Sequence, residues 1–207
     1  MTALCKPLSR KFYLRDTLLV AGSLLGKFIV RRIRNKTIKA MIVETEAYIG
    51  DHDPASHSYG RVTGRNKVMF DIGGMAYVYF IYGNHYCFNA VTGREGKGDA
   101  VLIRGAEIVE GAHIAEKFRR FPDNQNDLAN GPGKLCEALC IDKSFNGHDL
   151  TRRSELYIAG GKKTSSAIRC QTPRIGISKG TELNYRFIIN GNPCVSKHAK
   201  NPSKEKI

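Results

Sequence analysis

Residues 76–91 constrain the fold more than any other stretch of this chain. Ala76-Tyr77-Val78-Tyr79-Phe80-Ile81-Tyr82 is dense in aromatic and β-branched side chains, which suit a pleated surface better than a helix. Gly83-Asn84 supplies a two-residue turn pair, and His85 to Val91 reads as the returning strand. An isolated hairpin is marginal in water, so further strands are needed to cover it. Lys27 to Arg32 and Ile38 to Tyr48 provide two, joined by a polar turn at Asn35-Lys36, and Ala100 to Arg104 a third. With Gly83-Asn84 as the turn, Tyr82 stands opposite His85 and Val78 opposite Asn89. The Tyr82 ring is then exposed beside the tip.

Helical signals surround these strands. Asp16 can cap a helix running through Leu18, Ala21 and Leu25, with Gly26 as its stop. Ala106 to Arg120 reads as mostly helical. Asn130-Gly131-Pro132-Gly133-Lys134 leads into a helix through Leu139, with proline well placed in the first turn. The Gly-Pro-Gly-Lys string is not a phosphate loop of the Walker type, since Leu128 and Leu135 stand where Gly and Ser or Thr are required. Residues 49–75 lack periodicity, and a loop that long in a domain is usually functional or disordered. The 207 residues suit one α+β domain spanning 1–207, with loose ends at 1–11 and about 196–207.

The charge narrows the partners. Lys and Arg total 33 against 19 Asp and Glu, a formal +14, which favours polyanions through steering and counterion release. Nucleic acid is the leading candidate. No segment approaches the ~20 apolar residues of a membrane span, and the first residues lack the apolar region of a signal peptide. The six cysteines (5, 87, 136, 140, 170 and 194) form neither a disulfide framework nor a Cys-x-x-Cys pair, although Cys136 and Cys140 could share a helix face. Reduced thiols in a cytoplasmic protein follow, and nothing in the sequence demands more than a monomer.

The chemistry concentrates between Met41 and Arg104. As a strand, Ile42 to Tyr48 puts Glu44, Glu46 and Tyr48 on one face. Two carboxylates beside an aromatic ring are expensive to bury without partners. A water attacking a sugar carbon needs a carboxylate to orient and deprotonate it, and on spacing alone either glutamate could serve. Arg104 could hold carboxylate and water, or form a plain ion pair. Tyr48, Tyr79 and His57 could line a slot for a flat base, and Tyr82 could enter a base stack in place of an extruded nucleotide.

These residues carry a resemblance. Val43-Glu44-Thr45-Glu46-Ala47-Tyr48-Ile49-Gly50 followed by Asp53-Pro54-Ala55-Ser56-His57 is similar to the 3-methyladenine (alkyladenine) DNA glycosylase family. So are Arg65-Asn66-Lys67-Val68-Met69-Phe70, Tyr77-Val78-Tyr79-Phe80-Ile81-Tyr82-Gly83 and Val101-Leu102-Ile103-Arg104-Gly105-Ala106-Glu107. Asn130-Gly131-Pro132-Gly133-Lys134-Leu135-Cys136 and Pro173-Arg174-Ile175-Gly176-Ile177 complete the series, which runs in order from about Phe12 to Val195. Two departures stand out: Asn84 replaces a common Met beside the hairpin tip, and Tyr185-Arg186-Phe187 replaces Trp-Arg-Phe in a chain without tryptophan.

The resemblance implies a curved antiparallel β-sheet surrounded by helices, with a β-hairpin protruding toward damaged double-stranded DNA, and no metal or redox cofactor. It matches Glu46 to the catalytic base, Arg104 to the residue helping to hold the water, and Tyr48, His57 and Tyr79 to the residues that sandwich the flipped base. Tyr82 matches the wedge that intercalates through the minor groove. Asn89 matches the side chain that excludes the guanine 2-amino group, and Glu44 has no catalytic counterpart. The activity implied is monofunctional hydrolysis of alkylated or deaminated purines, in the cytoplasm (at the nucleoid of a bacterium, or in a eukaryotic nucleus). Two other classes fit the residues less well: a module that binds damaged DNA without cutting, and a carbohydrate hydrolase. Glu44 and Glu46, roughly 7 Å apart along one strand, do not flank a bond as the latter requires.

Overall fold

The computed structural model describes residues 6–161, 165 and 168–196. Asp16 caps as its position suggests: its carboxylate accepts from the Leu19 N–H at 3.0 Å. Helix α2 (Thr17–Leu24) follows the short α1 (Arg10–Tyr13), and left-handed Gly26 ends that run. Strands β1 (Phe28–Ile33) and β2 (Lys36–Tyr48) come next, then β3 (Ala76–Ile81), β4 (His85–Thr92) and β5 (Asp99–Glu110). Helices α3 (Ala112–Phe118) and α4 (Pro132–Ala138) precede the short strands β6 (Leu156–Ala159), β7 (Arg169–Thr172) and β8 (Arg186–Ile189).

The strands form one curled antiparallel sheet in the order β3-β4-β5-β2-β1-β6, the sheet of a single α+β domain. Strand β2 is its spine. One edge of β2 pairs with β5 along most of its length; the other pairs with β1 over residues 36–41 and with β8 over Glu44–Glu46. Its first half alternates buried and partly exposed residues, whereas residues 42–47 are buried throughout. On one side α2 covers them, with the Thr45 hydroxyl donating to the Ala21 carbonyl at 3.0 Å. The core lies there, built from α2, α4 and the inner sheet face.

Three local expectations are corrected. The hairpin turn is centred on Tyr82-Gly83 instead of Gly83-Asn84: both residues are left-handed (φ 54° and 73°), and Ile81 pairs with His85. That shift of one sets Asn89 opposite Tyr77, not Val78. Residues 106–110 extend β5 because the 13-residue β2 needs a partner along its length, and the helix begins only after left-handed Gly111. Cys136 and Cys140 share no face, since α4 stops at Ala138; Cys136 is buried and Cys140, with φ 49°, is exposed.

The long loop after β2 is ordered by its own contacts. A 3₁₀ turn at Lys67–Phe70 buries Val68 and Met69 against Tyr77 and Val91. At the ends, the Leu8 N–H donates to Ile158, Pro7 bridges to Ala159, and Val195 and Ser196 are buried. The remaining terminal residues expected to be loose, 1–5 and 197–207, lie outside the described residues. No helix among the described residues is long and apolar enough to cross a membrane.

Candidate active site

Where β2 changes partners from β1 to β8, its Glu44 and Glu46 meet Arg104. The pairing explains the aim of Arg104: Glu44 pairs with Gly105 and Thr45 with Ile103, so Arg104 is the extra residue of a β-bulge. Bulges redirect side chains. Arg104 Nε lies 3.3 Å from Glu44 Oε1, and Nη1 lies 3.5 Å from Glu46 Oε2.

The two carboxylates, both fully buried, are differently held. Glu44 accepts from Arg186 Nε at 2.6 Å, from the Ser196 N–H at 2.9 Å and from the Ser196 hydroxyl at 2.7 Å. That set occupies both oxygens. Glu46 accepts from the Tyr48 hydroxyl at 2.9 Å and from the Ile175 N–H at 2.8 Å. Burial pushes the Glu46 carboxyl above its ordinary value, against Arg104, the Ile175 N–H and the Tyr48 hydroxyl; Glu44 adds to the rise. A carboxylate so placed takes up a proton more readily than one in water, as a general base must. Burial, followed by the charge of Glu46, holds the Tyr48 phenol well above its usual range, so Tyr48 remains a donor.

In front of Tyr48 opens a cavity of about 270 Å³, lined by Tyr48, His57, Tyr77, Tyr79 and Asn89 together with residues 176–179. It falls just below the ~300–1,000 Å³ of drug-sized ligand pockets, a size for one small flat group. His57 Nδ1 lies 3.1 Å from the Tyr77 hydroxyl, and its ring meets Tyr79 edge-on at 4.6 Å. Burial, then the nearby Arg65 guanidinium, lowers its pKa, so the imidazole is neutral at pH 7. Asn66 fixes the loop by donating to the His57 carbonyl at 2.7 Å and the Arg61 carbonyl at 3.0 Å. Asn89 donates to the Tyr77 carbonyl at 3.0 Å. The corrected register puts Asn89 on the cavity side, with Tyr77 and Tyr79; the expected one would have turned it toward the core.

Tyr48, His57, Tyr79 and Asn89 are thus brought together. Glu46 and Arg104 stand behind Tyr48 and do not line the cavity. Tyr82 lies outside it at the hairpin tip, 81% exposed. Sequence reasoning gave no role to Asp53, Arg174, the Ile175 N–H or Ser196. Arg174 is buried, donates to Asp53 Oδ1 at 2.8 Å and to the Ala47 carbonyl at 2.9 Å, and stacks 4.7 Å from the Tyr48 ring centre. Its Nε has no hydrogen-bond partner among the described residues, an omission that costs about 1–3 kcal/mol when a donor is buried. Both residues sit in the strings that carried the family resemblance, which was the available signal. Among the described residues no cluster of three or more His, Cys, Asp or Glu could hold a metal ion.

An aromatic slot with a proton-accepting carboxylate behind it, on a strongly basic α+β scaffold, has the form of a hydrolase for flat bases of nucleic acid. The chain belongs to the methylpurine-DNA glycosylase (MPG) family, whose model matches residues 11–193. It is 48% identical over 190 residues to a protein of Carboxydothermus hydrogenoformans, covering 92% of this chain and 98% of that one. A protein of Methanocella arvoryzae is 44% identical over 195 residues (93% and 96%), and one of Clostridium beijerinckii 46% over 203 residues (92% and 98%). All three carry the name "Putative 3-methyladenine DNA glycosylase". The chain is accordingly a DNA glycosylase of DNA repair.

Proposed function

We propose that this enzyme extrudes alkylated or deaminated purines from duplex DNA and hydrolyses their N-glycosidic bond with a water activated by Glu46, starting base excision repair. One observation carries this reading: a fully buried carboxylate, raised in proton affinity, lies one hydrogen bond behind the Tyr48 wall of an aromatic slot. Glu46 takes a proton from the water as it attacks C1′. The C1′–N bond breaks, the base leaves with the electron pair, and an abasic site remains. Arg104 holds Glu46 and the water, and the Glu46 carboxylate stabilises positive charge developing on the sugar.

Tyr48, His57 and Tyr79 sandwich the extruded base, and Asn89 refuses the 2-amino group of guanine. Tyr82 fills the vacated stack. A non-glycine residue in the left-handed region is strained by roughly 1–2 kcal/mol, and a strained, exposed aromatic ring at a hairpin tip suits a wedge. On this reading the hairpin points toward DNA, and the enzyme works as a monomer without metal or cofactor, in the cytoplasm (at the nucleoid of a bacterium, or in a eukaryotic nucleus). Substrates are 3-methyladenine, hypoxanthine and 1,N6-ethenoadenine. Cationic 3-methyladenine leaves readily, whereas neutral lesions need protonation of the leaving base and leave more slowly.

The test uses duplexes carrying one such lesion each, with free base and alkali-labile sites measured separately. Release of intact base with an abasic strand that breaks only on alkali treatment is expected. A folded protein that binds these duplexes and frees no base from any of them would overturn the reading.

A further inference from the structure

We propose that the Asp53–Arg174 pair is the positioning element of the base slot, joining two segments that line it and bracing the Tyr48 ring. This rests on the reading of Tyr48 and His57 as walls of the slot. Asp53 opens the segment that supplies Pro54, Ala55 and His57 to the cavity lining, and Arg174 opens the segment that supplies Gly176 to Lys179. Arg174 Nη2 donates to Asp53 Oδ1 at 2.8 Å and Nη1 to Oδ2 at 2.5 Å, a bidentate pair with both side chains fully buried. Such a fork fixes direction as well as distance.

Three further contacts make the pair more than a tie between loops. The guanidinium lies 4.7 Å from the ring centre of Tyr48 and 5.3 Å from that of Tyr185, so it sets the plane of Tyr48. Nη1 also holds the Ala47 carbonyl at 2.9 Å, fixing β2 between Glu46 and Tyr48. The next residue, Ile175, gives its N–H to Glu46 Oε1 at 2.8 Å. Two adjacent residues thus aim both the stacking ring and the carboxylate. Displacing the pair alters the slot width and the approach of Glu46 together. Asp53 also accepts from the Ala55 N–H at 3.1 Å, which transmits its position to the His57 wall.

The test is single-turnover excision at saturating enzyme, corrected for the folded fraction, with lesion-duplex affinity measured alongside. Arg174→Lys keeps the charge but removes the fork and the flat stacking surface; Asp53→Asn keeps the size and removes the charge. Gly180→Ala disturbs the pair from outside: an added Cβ would lie 3.1 Å from Arg174 Nη2 and 3.4 Å from Asp53 Oδ1, at a φ of +60°. This third variant tests the idea even where the first two unfold. Loss of about 100-fold in the excision constant, the scale of a 1 Å misplacement, is expected for Arg174→Lys. Asp53→Asn should behave alike, the double variant should be no worse than either single one, and affinity should stay within about threefold. Gly180→Ala should show a smaller loss in the same constant. Lower melting temperatures with unchanged excision per folded molecule would reduce the pair to a stabilising ion pair and overturn the proposal. Absence of base release by the wild type would instead defeat the reading beneath it.

Discussion

At the scale of single residues, the proposed role of Glu46 as base sets the expected behaviour with pH. Burial raises its pKa, so the carboxylate is protonated and inactive over a wider acid range than an ordinary glutamate. Excision should therefore rise with pH through a midpoint above the usual carboxylate value of ~4.3. A rate already flat at pH 5 would argue against Glu46 as the base. The same shift has a consequence for stability. A carboxyl whose folded pKa lies above its unfolded one contributes stability below the unfolded value, and that contribution is lost as pH rises through the folded value. Glutamine imitates the neutral acid, so Glu46→Gln should melt higher than wild type at pH 8. Its advantage should vanish near pH 4. A lower melting temperature at pH 8 would mean that Arg104 and the two donors outweigh burial. On the proposed reading Asn89 excludes guanine, so Asn89→Ser should raise guanine release relative to wild type by about tenfold, the scale of a small pocket change. Competing excision from guanine- and hypoxanthine-containing duplexes reads this.

At the scale of elements, the hairpin combines strain and exposure. Asparagine tolerates the left-handed region far better than tyrosine, so Tyr82→Asn should raise stability by about 1 kcal/mol. It should also weaken lesion-duplex affinity by ~1–3 kcal/mol through lost stacking. Denaturant melts and fluorescence titration separate the two effects, and unchanged affinity would remove Tyr82 as the wedge. The hairpin strands were legible in the sequence because aromatic and β-branched residues cluster there. Their register was not. Gly83-Asn84 is a good turn pair, and nothing local announces that a tyrosine will take the left-handed position instead. The residue pairs behind the slot were hidden for a different reason: Arg186 and Ser196 meet Glu44 across 142 and 152 positions. Side-chain type shows that buried carboxylates need partners, but chain folding chooses them. The bulge that aims Arg104 likewise depends on how β5 runs along β2, and a helical reading of residues 106–110 concealed it.

At the scale of the whole molecule, the +14 charge suits the DNA substrate that the family implies. Release of counterions from the duplex makes binding to it steeply salt-dependent, so log affinity against log salt should fall with a slope steeper than about −3. A flat dependence between 50 and 200 mM salt, the range over which such contacts weaken most, would mean that the charge faces solvent only. The family was readable from short strings spread over nearly the whole chain. The placement of Glu46 against the Tyr48 hydroxyl and of Arg174 over the Tyr48 ring required the fold. The most direct measurement of the central claim is single-turnover excision of 3-methyladenine, hypoxanthine and 1,N6-ethenoadenine by wild type and Glu46→Gln side by side. Base release by wild type, with a loss of about 100- to 10,000-fold in the variant at unchanged lesion-duplex affinity, is the predicted result. Comparable release by both proteins would contradict the account, and the base would have to be sought elsewhere in the site.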